Sequence, residues 1–175
     1  MQKKVSFIIP CFNEEKNILA ITIALHHVME NLLYEYEILF INDGSKDNTY
    51  STFKDLSETD KKVKYISFSR NFGKDNALKA GIDLVKSDCV ITLDADLQHP
   101  PSLVPDLLKN WEQGFDIVYA YREFANPHTS FFSKMTSKYF WKILNTFSSL
   151  DLEDGISDFR LLDKKVINAL KDINE

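Results

Sequence analysis

The amino-acid sequence predicts an α/β fold with a mostly parallel central sheet and helices on both of its faces. Two observations carry this prediction. Most of the apolar runs are continuous instead of alternating, as strands buried on both faces are, and helical patterns separate them. The order is therefore βαβαβαβαβ, with right-handed crossovers. The predicted strands are Val5–Ile9, Ile38–Ile41, Val63–Ser67, Cys89–Leu93 and Phe115–Tyr121.

The first predicted helix follows the first strand. Its apolar stripe consists of Ile18, Ile21, Leu25, Val28 and Leu32. Asn13 is the candidate N-cap, and Glu14 and Glu15 fall in the first turn, where the helix dipole favours anions.

The next three predicted helices show the same spacing of apolar residues. Each begins after a residue that commonly opens a helix, and Pro100-Pro101 is such an opening for the third of them. The apolar stripes are Tyr50, Phe53 and Leu56 after Asp47, then Leu78, Ile82 and Val85 after Asp75, then Val104, Leu107, Leu108 and Trp111.

Length and composition favour one globular domain over residues 1–175, with 44% hydrophobic and 27% charged residues. A net charge of −5 argues against general nucleic-acid binding, which uses a basic surface. Cys11 and Cys89 lie in or beside apolar runs without metal-ligand spacing, which indicates buried reduced thiols. The chain shows neither a signal-peptide pattern nor an apolar run of ~18 residues, so we expect a cytoplasmic domain that does not itself span a bilayer.

Two carboxylates, Asp94 and Asp96, follow the apolar run CVITL directly. In an extended chain residues i and i+2 point the same way, so both acids are expected on one side of the strand end. Mg²⁺ and Mn²⁺ prefer oxygen ligands and usually bind one or two carboxylates together with substrate phosphates. The pair therefore indicates a site for a metal and a diphosphate, although Asp at a strand end is also a common turn or helix-cap residue.

Polar, turn-forming residues follow each of the first four predicted strands. The segments are PCFNEE, NDGS, SRNFGK and DAD. Since ligands of open α/β sheets bind beyond the carboxyl ends of the strands, we expect these segments to form one site.

Four segments, VSFIIPCFNEEKNI, EILFINDGSKDNT, SRNFGKDNALKAGI and CVITLDADLQHPP, resemble the family two glycosyltransferases of the GT-A fold. LDADLQHPP and DFRLLDKKV are most similar to the branch that glycosylates polyisoprenyl phosphate, such as dolichyl-phosphate mannose synthases and bactoprenol glucosyltransferases. The resemblance implies an inverting, metal-dependent transfer from a UDP- or GDP-linked sugar at the cytoplasmic face of a membrane. It leaves the base, the sugar and the oligomeric state open.

The resemblance also implies which residues hold the nucleoside: Pro10, Asn13, Glu14 and Asp43. A carboxylate such as Asp43 can accept hydrogen bonds from a base imide or a ribose hydroxyl. The alternatives are a turn-forming Asp before Gly44, and compensation of the helix dipole by Glu14.

The diphosphate and the metal are assigned to other strand ends. Arg70 and Lys74 lie at the opening of a predicted helix, whose free amides attract phosphate, although solvated surface charge is the rival interpretation. By the resemblance, Asp96 ligates Mg²⁺ or Mn²⁺, Asp94 supports the metal or the ribose, and Gln98 adds a neutral oxygen.

The acceptor half of the reaction is assigned by resemblance to Asp158, the candidate base, and to Arg122, which would offset repulsion between the two phosphate groups. Asp154 is a weaker alternative base, and a capped loop before the final helix is the structural alternative for both acids. A phosphate monoester is largely a dianion at neutral pH, with a second pKa of about 6, so it hardly needs a base.

The segment Phe131–Leu150 has an amphipathic pattern, with Lys134, Lys138 and Lys142 beside an apolar stripe. Such a helix can lie at a lipid headgroup layer and give peripheral membrane contact, or it can pack on the sheet with its lysines in water.

Other functions remain open alternatives. These are a glycosyltransferase with a hydroxyl acceptor, a sugar nucleotidyltransferase and a non-catalytic nucleotide-sugar-binding domain. PCFNEEKN contains no Gly, which counts against a nucleotidyltransferase loop. The family branch usually continues into membrane helices, so we expect this chain to be the catalytic part of a longer protein.

Overall fold

A computed structural model describes residues 2–121 and 156–172 of the chain. The strands are β1 Lys4–Cys11, β2 Glu35–Asn42, β3 Val63–Ser67, β4 Cys89–Thr92, β5 Ile117–Tyr121 and β6 Ile156–Asp163. The helices are α1 Ile18–Met29, α2 Thr49–Thr59, α3 Lys74–Leu84, α4 Val104–Glu112 and α5 Lys164–Asp172, and a short 3-10 helix, Pro101–Leu103, precedes α4.

Internal contacts divide the chain into two compact units. One consists of Met1–Tyr119 with Asp158–Glu175, and the other is Ala120–Ser157, most of which lies outside the described residues. The residues outside the described part of the chain include Arg122, Asp154 and the segment Phe131–Leu150. The roles predicted for them therefore stay predictions. A single domain over residues 1–175 stays a prediction.

The six strands form one sheet in the order β3-β2-β1-β4-β6-β5. β1 pairs in parallel with β2 and β4, β2 pairs in parallel with β3, and β6 runs antiparallel to β4. The mostly parallel sheet is therefore confirmed. The strand order reverses between β1 and β4, and in open α/β sheets this reversal opens a crevice at the carboxyl ends of the strands.

Helices cover both faces of the sheet, as predicted. On one face, Ala77 and Ile82 of α3 pack against Ile8 of β1, and Ile167 of α5 joins the same apolar cluster. On the other face, Phe53 of α2 stacks on Phe40 of β2 with ring centroids 4.8 Å apart. Side chains alternate between the faces of a strand, so the continuously apolar strands β1 and β2 supply both cores.

Strand β6, with the sequence ISDFRLLD, is absent from the predicted order βαβαβαβαβ, which was incomplete there. A capped loop, the structural alternative for Asp158, is not what the structure shows, since Asp158 lies within this strand. In the structure Phe159 and Leu161 are fully buried, while Asp158 and Arg160 are half-buried. This alternation is typical of an antiparallel strand.

Strand β5 differs from the prediction in its burial. It forms within Phe115–Tyr121, but it lies at the edge of the sheet, where Ile117 is 50% and Tyr119 is 42% exposed. An apolar run alone does not distinguish an edge strand from a central one, because edge position depends on which strands pair.

Asn13 does not cap the first helix, which begins at Ile18 after Asn17. Asn13 has a positive φ of 58°, and its Oδ1 accepts a hydrogen bond from the Lys46 N–H at 2.8 Å. Asn tolerates this left-handed conformation better than most residues. The predicted cap residue therefore shapes the loop between β1 and α1.

Cys11 and Cys89 are buried and form no disulfide, as expected. Burial raises the pKa of both thiols, which keeps them in the unreactive protonated form. Among the helices of residues 2–121 and 156–172, none is both long and apolar enough to cross a membrane.

Candidate active site

A pocket of about 370 Å³ lies at the carboxyl ends of the first four strands. This volume is in the usual range of small-molecule sites, roughly 300–1,000 Å³. The pocket lies at the crevice between β1 and β4, where the strand order reverses. Its lining residues are Pro10, Cys11, Phe12, Glu14, Asp43, Asn71, Gly73, Lys74, Asp94, Ala95 and Asp96.

The structure thus brings most of the predicted donor-binding residues together in one pocket. The predicted residues that line it are Pro10, Glu14, Asp43, Lys74, Asp94 and Asp96. Asp158 contacts this group through Lys74. Asn13, Arg70 and Gln98 are exposed and are not among the lining residues.

The loop after β1 is braced against the loop after β2. The Asn13 N–H donates to Ser45 Oγ at 2.9 Å, and the Glu14 N–H donates to Thr49 Oγ1 at 2.9 Å. Asn13 Oδ1 is already bonded to the Lys46 N–H. These bonds fix the backbone beside the pocket. The assignment of Asn13 and Glu14 to the nucleoside stays a prediction.

Asp43 holds the loop between β3 and α3. It is only 4% exposed, and its two carboxylate oxygens accept from the Phe72 N–H at 2.7 Å and the Gly73 N–H at 3.0 Å. Next to it, Gly44 has a φ of 69°, and a Cβ there would lie 2.3 Å from the Arg70 carbonyl carbon. The two loops therefore approach too closely for any other residue. Each Asp43 oxygen keeps a lone pair that a bound nucleoside could use.

Lys74, the first residue of α3, bridges two carboxylates. Its Nζ lies 2.6 Å from Asp94 Oδ1 and 2.8 Å from Asp158 Oδ2. The other oxygen of Asp158, Oδ1, pairs with Arg160 Nη2 at 2.7 Å. Thr92 Oγ1 donates to the Asp158 carbonyl at 2.7 Å, which ties β6 to the end of β4. These ion pairs and this hydrogen bond connect the end of β4, strand β6 and the start of α3.

The ion pairs shift the pKa values of Lys74 and Asp158 in the direction that favours their charged forms. Partial burial alone would lower the pKa of Lys74, but its hydrogen bonds to Asp158 and Asp94 outweigh that effect and raise it. The hydrogen bond from Lys74 is also the main cause that lowers the pKa of Asp158, against a smaller opposing effect of burial. At neutral pH Lys74 is therefore a cation and Asp158 an anion.

Asp94 and Asp96 both line the pocket, but they do not extend a strand as predicted. β4 ends at Thr92, Ala95 and Asp96 lie in a turn, and Leu97 has a φ of 59°. The turn reflects local hydrogen bonding, since Asp96 Oδ1 accepts from the Gln98 N–H at 3.0 Å. The turn, not strand periodicity, thus presents both acids.

The donor set of this turn fits a hard divalent cation. The ligands that this turn can offer are the carboxylate oxygens of Asp94 and Asp96 and the neutral amide oxygen of Gln98. Mg²⁺ and Mn²⁺ prefer such oxygen ligands. Within residues 2–121 and 156–172, no three His, Cys, Asp or Glu side chains are grouped to hold a metal. A cation here would leave coordination positions for phosphate oxygens and water, as nucleotide-bound Mg²⁺ does.

Two further side chains at the pocket were missed from the sequence. Phe12 is 43% exposed and lines the pocket, and Asn71 lines it beside Gly73. A large apolar residue in an otherwise polar loop was the available signal for Phe12. Arg70 lies nearby with its guanidinium 4.7 Å from the centre of the Phe72 ring, exposed at the surface.

Comparison with known proteins identifies the family. The model of the family described as Glycosyl transferase family 2 matches residues 6–171. The chain belongs to glycosyl transferase family 2.

Two relatives show how much of a longer protein this chain corresponds to. CsbB of Bacillus subtilis (strain 168), named as a glycosyltransferase with no substrate stated, is 45% identical over 174 residues, which are 99% of this chain and 52% of CsbB. The bactoprenol glucosyl transferase of Shigella phage SfV is 40% identical over 168 residues, 96% of this chain and 54% of the relative. The chain spans about half the length of these relatives.

Several solved structures share this fold at low sequence identity. One is glucosyl-3-phosphoglycerate synthase from Mycobacterium tuberculosis in complex with Mn²⁺, UDP-glucose and phosphoglyceric acid. It has a TM-score of 0.65 at 18% identity, and the match covers 94% of this chain and 58% of the synthase chain. Another is the mannosyltransferase PcManGT from Pyrobaculum calidifontis in complex with GDP-Man and Mn²⁺. It has a TM-score of 0.64 at 17% identity, and the match covers 97% of this chain and 47% of the PcManGT chain. The fold is therefore GT-A, as the sequence predicted.

Proposed function

We propose that this chain is the catalytic domain of an inverting, metal-dependent glycosyltransferase. It moves a sugar from a UDP- or GDP-linked donor to polyisoprenyl phosphate at the cytoplasmic face of a membrane. The observation that carries the donor half is the pocket at the β1–β4 crevice, where Asp94 and Asp96 lie together with Asp43 and Lys74. The acceptor half is supported by the 40% identity to a bactoprenol glucosyl transferase.

The nucleoside is assigned to the side of the pocket formed by the loops after β1 and β2. The exposed ring of Phe12 offers an apolar surface to a base, and Asp43 offers acceptor lone pairs to a base imide or a ribose hydroxyl. Pro10 and Glu14 also line the pocket and complete this side. Since the loops are mutually hydrogen-bonded, the nucleoside would meet a preformed surface.

The diphosphate is assigned to the opposite side of the pocket. Asp96 and Asp94, with the Gln98 amide oxygen, would hold Mg²⁺ or Mn²⁺, and the ion would neutralise the nucleoside diphosphate as it leaves. Lys74 and Arg70 are the nearby cations that offset the remaining phosphate charge.

The acceptor is assigned to the side where Asp158 and Arg160 lie. In a single in-line displacement, the bond between the sugar and the acceptor oxygen forms as the bond to the diphosphate breaks, which inverts the anomeric centre. A phosphate acceptor is mostly ionised already, with a second pKa of about 6. Asp158 therefore acts chiefly by positioning groups, while Arg160 and Arg122 offset repulsion between the acceptor and the donor.

A transfer assay with the native protein tests this function. Membranes containing wild type or the Asp96→Ala variant receive polyisoprenyl phosphate and a panel of UDP- and GDP-linked radiolabelled sugars, with Mn²⁺ or with a chelator. We expect wild type to give a labelled product that extracts into organic solvent with one donor. Both chelation and Asp96→Ala should reduce the yield of labelled product at least about 100-fold, because the ion stabilises the leaving diphosphate. Asp106→Ala, an exposed acid on α4, is the matched control.

The transfer assay, an incubation with NTP and sugar phosphate, and calorimetry of donor binding together distinguish the other functions. Label found only in water-soluble oligosaccharide would mean a hydroxyl acceptor. Pyrophosphate released from NTP and sugar phosphate would mean a nucleotidyltransferase. Donor binding that needs metal, with no acceptor glycosylated, would mean a binding domain. Donor affinity unchanged by chelation and by Asp96→Ala would contradict the metal assignment.

A further inference from the structure

Lys74 holds the position that links the donor pocket to the candidate base. Its ammonium contacts Asp94 Oδ1 at 2.6 Å and Asp158 Oδ2 at 2.8 Å, so two of its three donor hydrogens serve carboxylates. The side chain is 39% exposed and lines the pocket, which leaves it room to move. Asp158 has a second cation, Arg160, and Asp94 shows no bond to another side chain among the described residues.

We propose that Lys74 is a built-in counter-ion that competes with the divalent cation for Asp94 and transfers to the donor diphosphate when the metal–nucleotide complex binds. This inference rests on the proposed function, because it requires that the pocket bind such a complex.

The competition follows from charge. Asp94 Oδ1 cannot easily serve an ammonium and a divalent cation together, since like charges about 4 Å apart repel by roughly 1 kcal/mol per charge pair in water and more in a partly buried site. Lys is suited to leave, because its compact ammonium sits on a flexible four-carbon stem with rotatable donors.

The diphosphate supplies the destination. It brings negative charge into the pocket that Lys74 lines, so the ammonium exchanges carboxylate partners for phosphate oxygens at no loss of charge pairing. After the exchange, Asp158 is paired with Arg160 alone. Binding of the donor therefore releases Asp158 from Lys74 before the acceptor is used.

The test measures two affinities in the full chain carrying Lys74→Met. The affinity for Mn²⁺ without nucleotide is measured by electron paramagnetic resonance, and the affinity for UDP and GDP with saturating Mn²⁺ by calorimetry. We expect Lys74→Met to bind Mn²⁺ about tenfold more tightly, because no ammonium then competes with the ion for Asp94. We expect it to bind the nucleotide about tenfold more weakly, because the diphosphate then lacks one cation. Opposite changes in the two affinities are the signature.

Two further variants separate charge from structure. Lys79→Met removes a lysine of the same helix that does not line the pocket. The Nζ of Lys79 pairs with Asp83 Oδ1 at 2.7 Å, so neither affinity should change. Lys74→Arg keeps the charge and should keep the weak Mn²⁺ affinity of wild type. Circular dichroism of each variant checks that the chain folds.

The inference is wrong if the Lys74→Met variant binds Mn²⁺ no more tightly than wild type, whatever its affinity for the nucleotide. Tighter Mn²⁺ binding by Lys74→Arg would overturn it too, because charge would then not be the cause. Wild type that binds neither UDP nor GDP would instead contradict the proposed function, while the Mn²⁺ measurement would still report on Lys74.

Discussion

Asp158 has both carboxylate oxygens paired with cations, Lys74 on one and Arg160 on the other. The sequence predicts Asp158 as an important acid but contains no signal for either partner, since Lys74 is 84 residues away. A base that is held by two cations is a weak base, because its ionised form is stabilised. The pairing agrees with a role in positioning a phosphate acceptor that is already ionised.

Asp158→Asn should therefore lower kcat only about tenfold with polyisoprenyl phosphate, less than the 10²–10⁴-fold that loss of a true general base causes. The KM for the donor should fall slightly, because Asp158 does not line the donor pocket but pairs with Lys74, which the diphosphate also attracts. Steady-state kinetics with Asp172→Asn as an exposed control measure both quantities. A loss of more than 1,000-fold would instead show that the acceptor needs deprotonation.

Glu37 of β2 is a second acid whose bonds were not predictable from its position in the sequence. It is 6% exposed and bonds to Ser6 Oγ at 2.6 Å, Lys64 Nζ at 2.6 Å and Lys4 Nζ at 2.8 Å. Burial alone would raise the pKa of Glu37, but the bonds from Lys4, Lys64 and Ser6 lower it to about 2. Glu37 is not among the residues that line the pocket, so we expect it to contribute to stability.

Because the pKa of Glu37 in the folded state is below its ordinary value of 4.5, the ionised form favours folding. Its contribution is complete above about pH 4.5 and is lost as the pH falls toward 2. Glu37→Gln should lower the free energy of unfolding at pH 7 by about 2 kcal/mol and remove this part of the pH dependence. Urea unfolding between pH 7 and 3 tests this. Glu35→Gln, exposed on the same strand, should change neither quantity.

Strand β6 is the element that decides where the candidate base lies. Its antiparallel pairing places Arg160 opposite Thr92 of β4, and Thr92 Oγ1 donates to the Asp158 carbonyl at 2.7 Å. The polar half of ISDFRLLD therefore faces the group of charges beside the pocket, and its apolar half enters the core. Hydrophobic runs predicted the parallel strands but missed this one, because pairing with β4 supplies what the strand's own composition lacks.

Thr92→Val removes this hydrogen bond with almost no change of shape. We expect it to cost about 1 kcal/mol of stability. We also expect kcat to fall several-fold at unchanged donor KM, since Asp158 loses an anchor. Thr22→Val is the matched control: Thr22 is equally buried at 3% and donates to the Ile18 carbonyl at 2.7 Å within α1. It should cost similar stability and leave kcat unchanged. Equal kcat for both variants would contradict an anchoring role for Thr92.

At the scale of the whole molecule, the acidic net charge of −5 coexists with a predicted basic, amphipathic helix in Phe131–Leu150. This segment lies outside the described residues, so its role stays a prediction. A chain that acts on a lipid phosphate has to meet a membrane surface, and Lys134, Lys138 and Lys142 would give it a local positive face.

Neutralising these three lysines to Gln should weaken sedimentation of the chain with anionic vesicles by at least tenfold, since each basic residue near such a surface contributes about 1 kcal/mol. Moderate salt should weaken wild type in the same way, by screening. The control changes three exposed lysines elsewhere, Lys54, Lys61 and Lys86, to Gln. Equal sedimentation of both triple variants would mean that the helix does not contact lipid.

The sequence by itself determined the α/β architecture and the four strand ends that line the pocket, and its resemblance to known segments predicted the family. The architecture and the strand ends follow from local rules, because continuous apolar runs make central parallel strands and polar turns end them. Only the tertiary structure decided that Asp43 holds the loop before α3, that Lys74 joins Asp94 to Asp158, and that β6 exists at all. The physical reason is range: hydrogen bonds and ion pairs between residues far apart in the chain depend on strand order and register, which no local pattern encodes.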